Sequence, residues 1–226
     1  MSRHLKRYNA PKSWAIKRKE RKYIMRLSPG PHNKKMSVPL NIVLRDMLSL
    51  SDTKKETKRI LYANEVLIDG VRRKDEKFPV GLFDVVDLKG SGKAYRVTLD
   101  GNGMIKLVEA KDPKVKPLKI ISKSLAKGGR VQLGFHDGKT ILTDGRKYRV
   151  GDSVLAELPE MSIKKSLELE KGASIFLIGG KNIGVVGKVK DIAGRRIMYE
   201  SNGQTYQTLR SYAFVIGGDK PSIALE

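Results

Sequence analysis

Apolar residues between positions 40 and 48 recur at i, i+3, i+4, i+7 and i+8, which is the spacing of one face of a helix. Ser37 is the candidate cap of this helix. A second helix is predicted to start at Thr53, because Thr53 and Glu56 have the spacing of a capping box, and to run to about Tyr62. The pattern therefore predicts two short consecutive helices in the first part of the chain.

Short apolar runs separated by glycine-containing turns dominate the rest of the sequence. An Asp-Gly or Asn-Gly pair at 69–70, 137–138 and 202–203 lies between two such runs, and these residue types accept the positive φ of tight hairpin turns. The helical period disappears after Gly92. We therefore expect a mostly β protein with a small α+β module, built from short strands in barrels or sandwiches.

The charge of the chain is strongly positive and unevenly distributed. Lysine and arginine number 46 against 24 acids, a net charge of +22, and half of this excess lies in residues 1–40, where Glu20 is the single acid. Such a segment repels itself unless an anion neutralises it, so we expect a basic arm that becomes ordered on a polyanion, with nucleic acid the first candidate. Trp14 lies among these cations and could stack on bases or pin the arm to its own domain.

A second group of cations is predicted on the second helix and the hairpin that follows. Lys54 with Lys58, and Lys55 with Arg59, are i, i+4 pairs that share one helix side, and the hairpin adds three cations at 72–74. A solvated helix face is the ordinary explanation of such a pattern. The large total charge favours binding instead.

Catalytic and cofactor sites are not indicated. The chain has no cysteine, and its three histidines have no metal-ligand spacing. The glycines of 134–140 are one residue short of a phosphate-binding loop, and 179–185 has Val185 where such a loop needs lysine. We expect no enzyme, metal or cofactor, although a nuclease would be the nearest enzymatic alternative.

Targeting and membrane segments are also not indicated. No apolar run approaches the ~18 residues that span a bilayer, and the basic start is not followed by a signal-peptide core. The arm lacks the clean apolar face of a membrane-surface helix. We expect a soluble cytoplasmic protein without membrane contact.

Several motifs, taken in order, resemble the S-four-e family of small-subunit ribosomal proteins of archaea and eukaryotes. They are HLKR at 4–7, NAP at 9–11, LRDML at 44–48, FPVGLFDV at 78–85, HDGKTI at 136–141 and FVIG at 214–217. This resemblance covers essentially the whole chain. It implies a structural constituent of the small ribosomal subunit that binds rRNA and neighbouring ribosomal proteins, takes no small-molecule substrate, and supports assembly and translation.

The resemblance also implies four parts: a basic arm over 1–37, an alpha-L (S-four type) RNA-binding fold over 38–92, a central β domain over 93–170, and a KOW SH3-like barrel with a tail over 171–226. The KOW motif at 171–192 has Gly184 at its centre, where glycine either bends the backbone closely against RNA or protein, or forms a β-bulge without a ligand. A free RNA-binding or transcription-associated KOW factor is the alternative function.

The residues expected to bind rRNA follow from the charge pattern and the resemblance together. They are Arg3, Lys6, Arg7, Lys12, Trp14, Lys17, Arg18, Lys19, Arg21, Lys22, Arg26, Lys34 and Lys35 in the arm, Lys54, Lys55, Lys58, Arg59, Arg72, Arg73 and Lys74 in the alpha-L fold, and Lys181, Gly184, Lys188, Arg195 and Arg196 in the KOW barrel.

Overall fold

The computed structural model describes residues 4–63, 66–144 and 147–223. The chain divides into two compact units: unit one is Met1–Thr98 with Met104–Pro113, and unit two is Leu99–Gly103 with Lys114–Glu226. Strands predominate among the described residues, and the helices are confined to the first part of the chain. The predicted fold class, mostly β with a small helical module, is confirmed.

The helical part consists of two short helices and four single turns. These are α1 Leu40–Ile42, which continues as a π-helical turn over Val43–Met47, α2 Lys54–Ala63, and the 3-10 turns Arg7–Asn9, Lys34–Met36, Lys127–Gly129 and Arg210–Tyr212.

The strands of the described residues follow in chain order. The first nine are β1 Leu5–Lys6, β2 Tyr23–Ile24, β3 Ser37–Pro39, β4 Val66–Ile68, β5 Val71–Arg72, β6 Pro79–Gly81, β7 Val85–Leu88, β8 Lys93–Leu99 and β9 Ile105–Glu109. The remaining ten are β10 Val115–Leu125, β11 Val131–Phe135, β12 Thr140–Thr143, β13 Ser153–Glu157, β14 Ser162–Leu167, β15 Ser174–Leu177, β16 Val186–Ala193, β17 Arg196–Ser201, β18 Gln204–Leu209 and β19 Ala213–Gly217.

The basic arm is a folded part of unit one. Strands β1 and β2 pair antiparallel, and the indole of Trp14 is 2% exposed, with Nε1 donating a hydrogen bond of 2.8 Å to the Ser37 carbonyl. The main-chain N–H of Ile105 donates to the Ser13 carbonyl at 2.7 Å. Of the two roles left open for Trp14, these contacts support packing against its own domain, and they correct the expectation that the arm becomes ordered on a polyanion, because the buried indole and local hydrogen bonds fix the arm within the chain.

The helix prediction for residues 40–48 is confirmed for its buried face but not for its cap. Leu40, Val43 and Leu44 are fully buried, as the apolar spacing requires. Ser37 instead lies in β3, and its hydroxyl donates to the Asn33 carbonyl at 2.8 Å. Pro39 occupies the N-cap position, and because proline has no side-chain oxygen, this helix has no side-chain cap.

A five-stranded sheet with the order β5-β4-β7-β8-β9 forms the larger sheet of unit one. The turn between β4 and β5 has Asp69 at φ 52° and Gly70 at φ 78°, which confirms the predicted hairpin. Strand β7 pairs with β8 across the boundary expected between residues 92 and 93. Strands β8 and β9 thus join the sheet of the preceding segment, whereas the expected division assigned them to the central domain.

Unit two contains two five-stranded sheets, with the orders β12-β11-β10-β13-β14 and β18-β17-β16-β15-β19. Gly138, Asn202 and Gly203 have φ angles of 74°, 50° and 76°, so both hairpin turns predicted here are confirmed. Alternate residues of β16 and β17 are buried in a core with β15 and β19. This alternation leaves the opposite face of β16 and β17 to solvent.

Candidate nucleic-acid interface

Helix α2 presents its cations to solvent because its opposite side is anchored. Thr57 and Leu61 are fully buried, while the four cations of the helix are exposed. The predicted capping box is formed: the Glu56 N–H donates to Thr53 Oγ1 and the Thr53 N–H donates to the Glu56 carboxylate, both at 3.3 Å. This cap fixes where the helix starts and hence which residues face outward.

The Glu56 carboxylate is held in the cap. Hydrogen bonds from the main-chain N–H groups of Asp52 and Thr53 hold the pKa of Glu56 below its ordinary value, and the nearby Arg59 lowers this pKa further. The carboxylate is therefore ionised at neutral pH and is directed toward the helix start.

Two lysines lie near the ring of Tyr62 at the end of α2. Lys58 Nζ is 5.9 Å and Lys74 Nζ is 5.8 Å from the ring centroid, and the Tyr62 side chain is 56% exposed. Arg72 Nη2 donates to the Tyr62 carbonyl at 3.1 Å, which ties the hairpin to the last turn of the helix. An exposed aromatic surface flanked by cations can stack a base and hold its phosphates.

Tyr62 was not among the residues expected to bind rRNA. The sequence signal that could have found it is its position four residues after Lys58, which continues the row of Lys54 and Lys58 along one helix side. We refer to the combined surface as the α2 patch. It comprises Lys54, Lys55, Lys58, Arg59, Tyr62, Arg72 and Lys74.

Besides Arg72, two further cations of this region have partners within the chain. Lys54 Nζ lies 3.1 Å from the Glu76 carboxylate, although the lysine side chain remains 58% exposed. The Arg73 guanidinium lies over the Phe78 ring at 4.5 Å and is only partly exposed. Arg73 alternates with Arg72 and Lys74 along the chain and packs on the hairpin, so we leave it out of the α2 patch.

Three of the arm residues expected to bind rRNA hold the fold instead. The Arg7 side chain is 2% exposed, with Nε donating to the Lys17 carbonyl at 2.5 Å and Nη2 at 3.2 Å from Asp46. Arg18 donates to the carbonyls of residues 10 and 11 at 2.9 and 2.8 Å. Trp14 is buried as described above. Because Arg7 and Trp14 are buried and have partners inside the protein, the expectation that they bind rRNA is corrected. Arg18 uses most of its guanidinium donors on main-chain carbonyls of the arm.

The other arm cations that the structure describes are exposed. They are Lys6, Lys12, Lys17, Lys19, Arg21, Lys22, Arg26, Lys34 and Lys35. Lys22 Nζ lies 5.4 Å from the centroid of the Tyr23 ring, which repeats the aromatic–cation arrangement of the α2 patch. Arg3 lies outside the described residues.

Gly184 of unit two approaches main chain of the protein itself. Its φ is 82°, and a Cβ atom there would overlap the carbonyl of Asp100. The close approach that glycine permits is therefore made to main chain within unit two, and the expected rRNA contact of Gly184 stays a prediction. Lys181, Lys188, Arg195 and Arg196 are exposed, with Lys188 Nζ 3.8 Å from the Asp219 carboxylate.

Unit two also contains a buried lysine. Lys119 is 6% exposed, and its Nζ donates to the carbonyls of Ser211 and Ala213 at 2.7 and 2.6 Å. Burial lowers the pKa of Lys119 to about 8, and the nearby Arg210 contributes in the same direction. Because both of its acceptors are main-chain carbonyls, this lysine joins β10 to the start of β19.

The described part of the chain contains neither a metal-binding cluster nor a helix that could cross a membrane. Residues 4–63, 66–144 and 147–223 contain no group of three or more histidine, cysteine or acidic side chains arranged to hold a metal ion. None of the helices in these ranges is long and apolar enough to cross a membrane.

Two family models match the chain. The ribosomal family S4e model matches residues 91–163, and the RS4NT (NUC023) domain model matches residues 1–35. The second match coincides with the folded arm.

Similar proteins cover nearly the whole chain. The small ribosomal subunit protein eS4 of Archaeoglobus fulgidus is 41% identical over 231 residues, covering 98% of this chain and 97% of that protein. The eS4 protein of Methanococcus aeolicus is 39% identical over 237 residues, covering 99% of this chain and 97% of that protein. The crystal structure of the 30S ribosomal protein S4e from Thermoplasma acidophilum superimposes with a TM-score of 0.71 at 32% identity, covering 81% of this chain and 96% of that chain. With relatives of this identity along its full length, the chain belongs to the ribosomal S4e family.

Proposed function

We propose that this chain is a structural constituent of the small ribosomal subunit in the cytoplasm and that it binds rRNA through the α2 patch and the exposed cations of the arm. Its membership of the S4e family and the names of its relatives support the ribosomal role. The observation that carries the location of the interface is the exposed Tyr62 ring, with the ammonium groups of Lys58 and Lys74 about 6 Å from its centroid.

Binding at the α2 patch needs no chemical step. The ammonium and guanidinium groups neutralise phosphates and release counterions. The logarithm of Kd therefore depends linearly on the logarithm of the salt concentration, and each phosphate contact adds about 0.7 to 0.9 to the slope. The Tyr62 ring offers a stacking surface to any unpaired base. Because the helix cap and the Arg72 hydrogen bond fix these groups in place, the patch can recognise an RNA shape as well as its charge.

The exposed cations of unit two serve the same ligand in this proposal. Lys181, Lys188, Arg195 and Arg196 lie outside the buried core of β15–β19 and are available to phosphates. The four-part division of the chain and contacts with neighbouring ribosomal proteins also belong to this proposal. No catalytic step or small-molecule substrate is part of it.

Co-sedimentation with small subunits tests the proposal. Wild type and a Lys58→Gln/Lys74→Gln variant are supplied to cells or extracts that lack the endogenous protein, and their distribution is measured across a gradient. We expect the wild type to migrate with small subunits and the double variant to be depleted there several-fold. Lys164→Gln/Lys165→Gln, which removes two exposed cations on β14, is the matched control and should migrate as the wild type does.

A free RNA-binding factor gives the opposite distribution. If the wild type stays at the top of the gradient while retaining affinity for RNA, the ribosomal role is contradicted. If the double variant co-sediments as well as the control does, the α2 patch is not the interface. Family membership along the whole chain does not favour the free factor.

A further inference from the structure

A groove of about 610 Å³ lies in unit one between the arm and the first helix. Its volume is within the roughly 300–1,000 Å³ of small-molecule sites. The segment 23–29 supplies one wall, and α1 with the start of α2 supplies another. The Ser28 N–H donates to the Lys77 carbonyl at 3.0 Å. This hydrogen bond joins the wall formed by the arm to Lys77, which also lines the groove.

Asn41 lies in the wall of this groove, and its side-chain amide has no hydrogen-bond partner among the described residues. Asn41 is fully buried, and within ranges 4–63, 66–144 and 147–223 its amide nitrogen has no acceptor and its amide oxygen has no donor. Its main-chain N–H is satisfied, since it donates to the Glu76 carbonyl at 2.9 Å. Buried amides are almost always paired, so an unpaired one at the wall of a groove indicates a partner that arrives with a ligand.

The remaining lining fits a nucleotide. Ile24 and Leu27 offer apolar surface for the faces of a base, and the half-exposed Tyr23 ring offers a stacking surface. Arg26, Arg45, Lys54 and Lys77 also line the groove, and none of its described lining residues is acidic. An asparagine amide donates and accepts at adjacent positions, which matches the donor and acceptor pairs on base edges.

We propose that this groove receives one unpaired nucleotide of the small-subunit rRNA, that the Asn41 amide hydrogen-bonds the edge of its base, and that Arg26 and Lys54 at the rim hold the flanking phosphates. This inference rests on the proposed rRNA binding and adds a base-reading site to it. The positive lining favours RNA over a protein segment, because Arg26 and Lys77 add to the charge of Lys54 and Arg45, which also pair with Glu76 at 3.1 Å and Asp46 at 2.7 Å.

The test compares full-length wild type with Asn41→Leu for binding to small-subunit rRNA at several salt concentrations. The amide is neutral, so its loss should weaken binding roughly tenfold or more at every salt concentration while the slope of log Kd against log salt is unchanged. The melting temperature of Asn41→Leu should equal or exceed that of the wild type, because an unpaired buried amide is replaced by an apolar group of similar size.

Thr98→Val is the matched control. The Thr98 hydroxyl is also fully buried in unit one and unpaired, but it does not line the groove, so this variant should bind rRNA as the wild type does. Arg26→Gln changes an exposed rim residue that does not endanger folding. It should weaken binding and flatten the salt slope by about 0.7 to 0.9.

Chemical probing of the rRNA identifies the nucleotide. With a reagent that modifies unpaired bases, wild type and Thr98→Val should protect one base that stays reactive with Asn41→Leu. Equal affinity and equal protection with Asn41→Leu would overturn the inference while leaving the proposed function intact. Unchanged affinity for naked rRNA combined with lost incorporation into subunits would assign the groove to a protein and also overturn it. Absence of rRNA binding by the wild type would instead contradict the proposed function.

Discussion

Arg7 is a cation placed inside the protein. Its guanidinium is shared by Asp46 at 3.2 Å, Glu20 at 3.3 Å and the Lys17 carbonyl, so the cost of burying its charge is offset by partners from three segments. Asp46 also accepts from Arg45 at 2.7 Å, which extends the group to the surface. Because this buried cation has several partners, it anchors the arm to the rest of unit one.

Replacement of Arg7 by alanine should lower the free energy of unfolding by about 3 kcal/mol, because it leaves the largely buried Asp46 with one partner fewer and opens a cavity. Urea denaturation of the full chain measures this change. Lys12→Ala, which removes an exposed arm cation, should change the same free energy by less than about 0.5 kcal/mol. Equal effects of the two substitutions would show that Arg7 does not anchor the arm.

Lys119 makes the stability of unit two depend on pH. Its pKa is about 8 in the folded protein and near its ordinary value of 10.5 in the unfolded chain. Between these values the unfolded chain holds a proton that the folded protein has released, so the stability contributed at this site rises with pH. Below about pH 8 the lysine is charged in both states and the full cost of its burial is present.

The difference in unfolding free energy between the wild type and Lys119→Met should therefore shift in favour of the wild type by about 2 kcal/mol from pH 8 to pH 10. Equilibrium unfolding at several pH values measures the difference. Lys165→Met, on the exposed side of β14, is the control and should show no such shift. A difference that stays constant with pH for Lys119→Met would contradict the assigned pKa.

At the scale of elements, α2 and the β4–β5 hairpin act as one rigid support. The capping box sets the start of the helix, Leu61 anchors its buried side, and the Arg72 hydrogen bond joins its last turn to the hairpin. The helix has only ten residues, so its stability depends on these tertiary contacts more than on propensity. The Tyr62 ring therefore has a defined position before RNA arrives, and less ordering is needed on binding.

Tyr62→Ala should weaken binding to small-subunit rRNA by about 5- to 100-fold, the usual contribution of one stacked base, with no change in the salt slope. Tyr62→Phe keeps the ring and should bind within about twofold of the wild type. Filter binding at two salt concentrations separates these results. Equal loss in both variants would show that the hydroxyl, and not the ring, makes the contact.

At the scale of the whole molecule, sequence patterns predict local structure well where the cause is local. The capping box at 53–56 and the turns at 69–70, 137–138 and 202–203 depend on residues next to each other, and all are formed. The exposed cations of α2 were likewise found by their i, i+4 spacing.

Features caused by distant residues were missed. Charge counting predicted an arm without its own fold, but Arg7 is neutralised by Asp46, 39 residues further along the chain. The apolar pattern assigned no role to Asn41, a polar residue that is nevertheless fully buried and lies in the wall of a groove shared with the distant segment 23–29. For Gly184 the sequence left a ligand contact and a ligand-free bulge open, and neither alternative named its actual neighbour, the distant main chain at Asp100.

Both units carry positive charge, but unit one carries most of it. Its sequence contains 26 lysines and arginines against 12 acids, while unit two contains 20 against 12. This uneven distribution favours unit one as the main electrostatic contact with RNA. A fixed set of aromatic and cationic groups on unit one then adds recognition of RNA shape to the general attraction.

The most direct test of rRNA recognition by the α2 patch is filter binding of the full-length protein to small-subunit rRNA and to an unrelated structured RNA, each across a range of salt. We expect a preference for the small-subunit rRNA that persists at high salt. Lys58→Gln/Lys74→Gln should reduce the salt slope on this rRNA by about 1.5. Equal affinities for the two RNAs that fall together with salt, unchanged by the double substitution, would contradict shape-specific recognition by this surface.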